Sequence, residues 1–284
     1  MRTLDGLRAT LGAVALGVVD DDGVDWRLQT LEGWDSSEVR AEYTDRESDH
    51  GSWASPVYLG SRPITLGGTI AAPSQELLEE AMENLRAAAG LDDTLLTVWE
   101  TTPKQAIVRR SGKPLMQYLT DTRATYSVMV TAADPRRYST TLSSGTTALP
   151  SASGGLTPPA TFPVTFSATT VAGSIAAVNA GKFETRPLLT ITGPVVSPAV
   201  SALYPDGSVR QLLYSLDLAA GDVLVIDTDA RTVVLNGAVS RRRFLTVAGD
   251  WPIIPAQTQV TYRFSSPTYN AAPTLTATWR SAWM

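Results

Sequence analysis

Apolar and polar positions alternate along most of this chain, and only one stretch departs from that rhythm. In the first half, alternation predicts strands at Val24–Glu32, Glu38–Tyr43, Ile64–Ile70, Leu95–Trp99, Ala106–Arg110 and Tyr126–Thr131, because side chains of a half-buried strand repeat every second residue. Between the third and fourth of these, Leu77, Leu78, Ala81, Met82, Leu85 and Ala88 recur at three- to four-residue spacing, which predicts a helix with one stripe covered by a sheet. Ser74 is placed to cap its start, Glu76, Glu79 and Glu80 suit the positive end of its dipole, and Gly90 is placed to end it in a left-handed conformation.

The rhythm stops between Tyr138 and Pro163. That stretch, STTLSSGTTALPSASGGLTPPATFP, has no charge and no periodic apolar pattern, and reads as a tether. The expected organisation is a first domain over 1–140, a Ser/Thr/Gly/Pro-rich linker over 141–163 and a second domain over 164–284. The second domain reads as short strands alone: Val164–Ser167, Pro187–Ile191, Val223–Asp227, Thr232–Asn236, Val260–Phe264 and Thr274–Trp283. DVLVIDTDARTVVLNG is a hairpin turning at Thr228–Arg231. In the last strand Leu275, Ala277, Trp279 and Trp283 share one parity. Short strands at this spacing favour a β-sandwich or jelly roll.

Composition narrows the chemistry. The chain has 284 residues with no cysteine and one histidine, His50. Disulfides, thiolate metal sites and cysteine nucleophiles are therefore excluded, and imidazoles are too few for a zinc hydrolase. The net charge of −5 argues against a dedicated nucleic-acid binder. That charge is uneven: residues 1–138 carry 14 basic and 21 acidic side chains, net −7, and 139–284 carry 9 and 7, net +2. No apolar run approaches the ~20 residues of a membrane helix, so no membrane insertion is expected.

Individual motifs add no catalysis. Asp20, Asp21, Asp22 and Asp25 surround Gly23, but an EF-hand register would put Val18 and Gln29 at ligand positions, so DDDG reads as a hairpin turn. AVNAGKF lacks the first glycine and the trailing Ser or Thr of a phosphate loop. GxSxG, HExxH and GxGxxG are absent. His50 lies in polar TDRESDHGSW and reads as a loop residue, and Arg241–Arg243 as a solvated turn. Trp251, Trp279, Trp283, Tyr204, Tyr214, Tyr262 and Tyr269 would stack on sugars if exposed, whereas core packing is the plainer reading. No catalytic residue, metal ligand or cofactor site is assigned. A carboxylate pair assembled by the fold, as in glycosidases, stays open, as does a carbohydrate-binding adhesion protein.

Several strings carry a resemblance. GSWASPVYLGSRPITLGGTIAAPS leads into the helix, VMVTAADPRRYS closes the first half, and NAGKFETRPLLTITGP follows the tether. LAAGDVLVIDTDARTVVLNGA, WPIIPAQTQVTY and TLTATWRSAW come later. In this order they resemble the distal tail proteins of long-tailed, non-contractile bacteriophages, also called minor tail proteins, over nearly the whole chain. In WPIIPAQTQV, Ala256 and Gln257 stand where relatives commonly show Gly and a small polar residue, which leaves that turn's conformation open.

The resemblance implies a mainly β protein with one helix: an N-terminal tail-tube-like belt domain and a C-terminal galectin-like β-sandwich. It implies a non-enzymatic virion component of the phage tail tip, assembled in the host cytoplasm. Six belts would form a ring around the DNA channel, joining the tail tube protein to the baseplate hub, with tape measure and receptor-binding proteins as further partners. DNA would pass without specific binding. Longer relatives carry inserted carbohydrate-binding modules, and a second half of about 146 residues leaves little room for one.

An acidic belt suits a DNA conduit, because like charge keeps a polyanion from sticking. The expected lumen or inter-ring acids come from Asp20, Asp21, Asp22, Asp25, Glu32, Asp35, Glu38, Glu42, Asp45, Glu47 and Asp49. Trp34–Pro56, too polar for a core and too long for a tight turn, is the expected inter-ring loop, with Trp34, Glu38, Arg40, Arg46, His50 and Trp53 as candidate contacts.

Overall fold

A computed structural model describes residues 6–153 and 169–284. The chain divides into two compact units, Met1–Thr140 with Met284, and Thr141–Trp283.

The first unit is built on antiparallel strands in the order Val14–Leu16, Arg8–Leu11, Thr94–Trp99, Lys104–Arg110, Arg123–Ala132, Arg62–Ala71, Asp25–Glu32, Val18–Val19. Leu115–Thr120 adds to Arg123–Ala132, and Arg137–Ser139 to Lys104–Arg110. The middle of the path is narrow, since Lys104–Arg110 meets Arg123–Ala132 only at Arg109 and Arg110. Its two ends are separated in sequence by Gly17 alone, whose N–H donates to Trp26 O at 2.7 Å, so the sheet curls back on itself around one core. Gly17 has φ +80, and a Cβ there would lie 2.2 Å from Leu7 O. Only glycine fits that closure.

Within this curl the pair Gly67–Gly68 faces a bulge in which Leu28 and Thr30 pair with successive glycines and Gln29 is passed over. A Cβ on Gly68 would sit 1.8 Å from Arg27 O, the same carbonyl that accepts a hydrogen bond from Tyr126 Oη. The glycines let two backbones close where the strand carries its extra residue.

The helix spans Gln75–Ala88 with Ser74 as N-cap, its side chain accepting from Leu77 N. Leu78, Ala81, Met82 and Leu85 are buried against the sheet, with Leu77 and Ala88 packed partly beside them. Burial of each large side chain stabilises by roughly 1.5–3 kcal/mol. The helix stops differently from the expectation: Ala89 caps it, its N–H bonding Leu85 O, and Gly90 is not among the left-handed residues. The orphan carbonyl is satisfied one residue early, so no left-handed glycine is required.

The second unit is a β-sandwich. One antiparallel sheet runs Ser143–Ala148, Thr274–Trp279, Leu188–Thr192, Val223–Asp227, Thr232–Leu235, Val239–Ser240. The other runs Ser174–Asn179, Thr258–Ser265, Ala199–Leu203, Val209–Tyr214, Leu245–Ala248. Ser151–Ser153 pairs separately with Thr169–Val171. Alternation explains the core: Leu189, Ile191, Leu224, Ile226, Leu275 and Ala277 of one sheet meet Val200, Ala202, Val260, Tyr262 and Phe264 of the other.

Ser143–Ala148 corrects part of the tether reading. It is a full strand paired with Thr274–Trp279, with Thr147 buried and Thr146 Oγ1 sharing a hydrogen bond with Thr276 Oγ1 at 2.9 Å. A neutral Ser/Thr run has linker composition, yet it lies on a sheet whose other strands supply the apolar contacts. The rest of the expected linker, 154–163, and the strand expected at Val164–Ser167 lie outside the described residues. The final strand also stops at Trp279: Ala282 bridges Phe183 instead, and Trp283 is only half-buried.

A turn joins these elements at Asn179. Its side chain is fully buried; Nδ2 donates to Phe183 O (2.7 Å), Ile254 O (3.1 Å) and Pro255 O (3.2 Å), and Oδ1 accepts from Gly181 N (2.9 Å) and Ala282 N (3.3 Å). One amide thus ties the NAGKF turn, the WPIIP segment and the chain at Ala282 together. Gln257, whose conformation the sequence left open, has φ +52 and donates its N–H to Gly181 O, so the turn keeps a glycine-like shape.

Candidate functional site

Between Asp25–Glu32 and Arg62–Ala71 the chain leaves the first unit's core as a two-stranded arm from Glu38 to Gly60. Gly60 N donates to Glu38 O at 2.7 Å, Val39–Arg40 pairs with Tyr58–Leu59, and Tyr43–Asp45 pairs with Ser52–Ala54. Ser55 N donates to Glu42 O at 2.9 Å between the two ladders, and Arg46 N to Gly51 O at 3.1 Å closes the tip. The strand expected at Glu38–Tyr43 is thus broken at Ala41–Glu42, since Pro56 on the opposite strand has no N–H to give. At ~3.3 Å per residue the arm reaches roughly 30 Å.

Every residue from 38 to 54 is exposed. Trp53 is 66% exposed and Tyr43 65%, and Val39, Val57 and Tyr58 are similarly bare. An isolated ribbon of two strands is marginal in water, and apolar side chains exposed along one mark a surface that meets something else. Glu38, Glu42, Asp45, Glu47 and Asp49 outnumber Arg40 and Arg46, so the arm is acidic. The tip is ordered locally: Asp45 Oδ1 accepts from Ser52 Oγ (2.8 Å), Arg46 lies 3.5 Å from Asp49 and 4.6 Å from the Trp53 ring centre, and His50 N donates to Asp49 Oδ1 (2.7 Å).

The root is the reverse of the arm. Trp34 is 1% exposed, among the largest fully buried side chains, and so is a core residue; its place among the loop contacts is corrected. Polar neighbours Glu32, Gly33, Asp35 and Ser36 hide its role in the sequence. Beside it Arg62 is fully buried and donates from Nη1 to Gly33 O (3.1 Å) and Trp34 O (2.7 Å) and from Nε to Pro135 O (2.8 Å). Arg137 stacks 5.4 Å from the Trp34 ring centre and lies 3.5 Å from Asp35. Asp134 accepts from Arg136 N (3.1 Å) and from Tyr138 Oη (2.5 Å). The ADPRRY string is therefore the bracket that holds the arm's base. Desolvation and the nearby Arg137 pull the Arg62 guanidinium down to about 10, opposed by Asp35 and Asp134. It remains the cation of the bracket at neutral pH.

The acidic turn lies apart from the arm, at the opposite end of strand Asp25–Glu32. Asp20 Oδ1 accepts from Val24 N (2.8 Å) and Asp22 N (3.1 Å), Oδ2 accepts from Trp26 Nε1 (3.0 Å), and Asp25 pairs with Arg27. This is the hairpin turn that the sequence suggested, with Asp20 as its internal scaffold. Asp21 and Asp22 are exposed.

Elsewhere, the aromatics proposed for sugar stacking are mostly core: Trp251, Trp279, Tyr214 and Tyr262 are buried, Tyr204 and Trp283 are half-buried, and Tyr269 alone of the seven is exposed. Among the described residues no group of three His, Asp or Glu side chains is placed to hold a metal ion, and no helix is long and apolar enough to cross a membrane.

Comparison with known proteins follows this geometry. Residues 180–283, most of the second unit, match the family described as "Siphovirus-type tail component, C-terminal domain". The resemblance to the distal tail proteins is borne out by that match together with the fold. The Dit protein of phage SPP1, described as "a Paradigm of Hub Adsorption Apparatus in Gram-positive Infecting Phages", superposes with a TM-score of 0.62 at 11% identity, covering 98% of this chain and 99% of that one. A chain of the phage P2 baseplate "in its Activated Conformation with Ca" gives 0.51 at 11% identity, covering 96% and 97%. No curated protein sequence matches.

Proposed function

We propose that this chain, a phage tail structural protein, closes into a six-membered ring that joins the tail tube to the baseplate hub, with the acidic arm reaching the adjoining ring. The observation that carries this reading is the arm: an exposed, aromatic-bearing ribbon without a core, clamped rigidly at its root. Folding alone gives no reason to fix so firmly a segment whose residues 38–54 are all exposed among the described residues. A neighbouring subunit or tube ring would cover Trp53, Tyr43 and Val39, and head-to-tail contacts close into a ring when their rotation permits. The excess of acids in the first unit suits a lumen through which a polyanion slides. Receptor-binding proteins would dock on the outside, the virion tail tip would be its location, and assembly would take place in the host cytoplasm.

The test is native mass spectrometry and imaging of the chain alone and with its tube and hub partners. Rings of six, lost on deletion of Asp45–Gly51 while the monomer stays folded, are the expected result. A chain that stays monomeric with both partners, or a ring whose lumen carries positive potential, would overturn the reading.

A further inference from the structure

In the second unit both sheets end on the same side. Among the described residues Leu245–Ala248 pairs only with Val209–Tyr214 and Val239–Ser240 only with Thr232–Leu235, and the short 3-10 turn Arg242–Phe244 links these two edge strands. The turn and the Arg241 that precedes it carry three consecutive guanidinium groups, each laid on an aromatic ring. Arg241 and Arg243 lie 5.8 and 4.5 Å from the centre of Phe244, and Arg242 lies 4.9 Å from that of Trp251. Arg242 Nη1 also donates to Leu245 O at 3.0 Å, which holds the turn against the edge. Arg242 and Arg243 are exposed, and none of the three has an ion pair among the described residues. Arg186 and Arg210 of the same unit do have carboxylate neighbours, at 3.0 and 3.9 Å.

We propose that this edge is a docking site for an extended, carboxylate-bearing segment of a partner protein, which adds to strand Leu245–Ala248 and places acidic side chains against Arg241–Arg243. The stacked guanidiniums are pre-organised, so less side-chain freedom is lost on pairing with carboxylates. A phosphate polymer would satisfy the charges alone, and three charges are few for such a ligand. Only a polypeptide supplies both carboxylates and the main-chain groups that an open edge can bond. The competing explanation is that the arginines merely keep the edge from pairing with other copies. The proposal does not depend on ring closure, because a single chain presents the whole site.

The test uses the full chain and a fluorescent peptide of roughly eight alternating Glu and Val residues, long enough to span one strand. Anisotropy should report binding that falls by at least about tenfold in R242Q/R243Q and in about 0.5 M NaCl. A Glu/Pro peptide of equal charge, which lacks the N–H donors, should bind at least about tenfold more weakly, and Trp251 emission should shift with the Glu/Val peptide. Equal binding of the Glu/Pro peptide, or stronger binding of polyphosphate, would overturn the proposal. So would absence of peptide binding combined with self-association of R242Q/R243Q, which would make the arginines guards of the edge. Loss of ring formation with peptide binding intact would count against the ring alone.

Discussion

Arg62 donates to the main-chain carbonyl of Trp34 at 2.7 Å from a fully buried position, while the Trp34 ring lies under Arg137. The same guanidinium reaches Gly33 and Pro135, so one planar fork joins the two chain segments between which the arm emerges. Replacing Arg62 by Met should leave three carbonyls without a donor and lower the stability of the first unit by roughly 3 kcal/mol in denaturant unfolding. Arg62→Lys should recover less than half of that loss, because an ammonium cannot reproduce the fork.

The two tryptophans on either side of the root should behave oppositely. Trp34→Ala empties a core site and should cost about 3–5 kcal/mol. Trp53→Ala, two-thirds exposed in the single chain, should change monomer stability by less than about 0.5 kcal/mol while reducing ring yield in native mass spectra. Equal destabilisation by both would mean that the arm packs on its own chain.

Asn179 links three segments of the second unit through both ends of its amide. Asn179→Leu should cost about 2–4 kcal/mol, since the main-chain groups around it lose their partners in a site sealed from water. Thermal unfolding of the variant should show the second unit melting first.

Burial pushes the Tyr126, Tyr138 and Tyr262 hydroxyls up from their ordinary value of 10.0. A group whose folded pKa lies above its unfolded one contributes stability that is complete below pH 10 and is lost as pH rises through the folded value. Arg62 acts in the opposite sense: its folded value of about 10 lies below the ordinary value of a guanidinium, so its burial cost eases as pH rises above about 10. Three tyrosines outweigh one arginine, so stability should fall above about pH 10. Tyrosinate absorbance from the buried rings should appear together with loss of circular dichroism; earlier ionisation would contradict their burial.

Much of the architecture was legible where a single rule governs. The strands Val223–Asp227 and Leu95–Trp99 and the helix stripe follow from periodicity, because each has one face in a core and one in water. Trp34 was illegible because its burial depends on Arg62 and Arg137, distant in sequence, and its immediate neighbours are polar. Ser143–Ala148 was missed because small hydroxyl residues look alike in a linker and on the neutral face of a sheet. Asn179 was hidden too, since an NAG triplet reads as an ordinary turn until the carbonyls of Ile254 and Pro255 arrive beside it. The arm itself was visible as a long polar excursion, but its anchorage was not.

The strand Thr274–Trp279 sits between Ser143–Ala148 and Leu188–Thr192, so the first-made strand of the second unit waits for nearly the last-made one. During synthesis the sandwich therefore has a gap beside Ser143–Ala148 until almost the whole chain has left the ribosome, whereas the curled path of the first unit, from Val14–Leu16 round to Val18–Val19, has its strands by Ala132. A nascent chain would thus carry the main sheet of its first unit, with the arm already on offer, while its second unit was still incomplete.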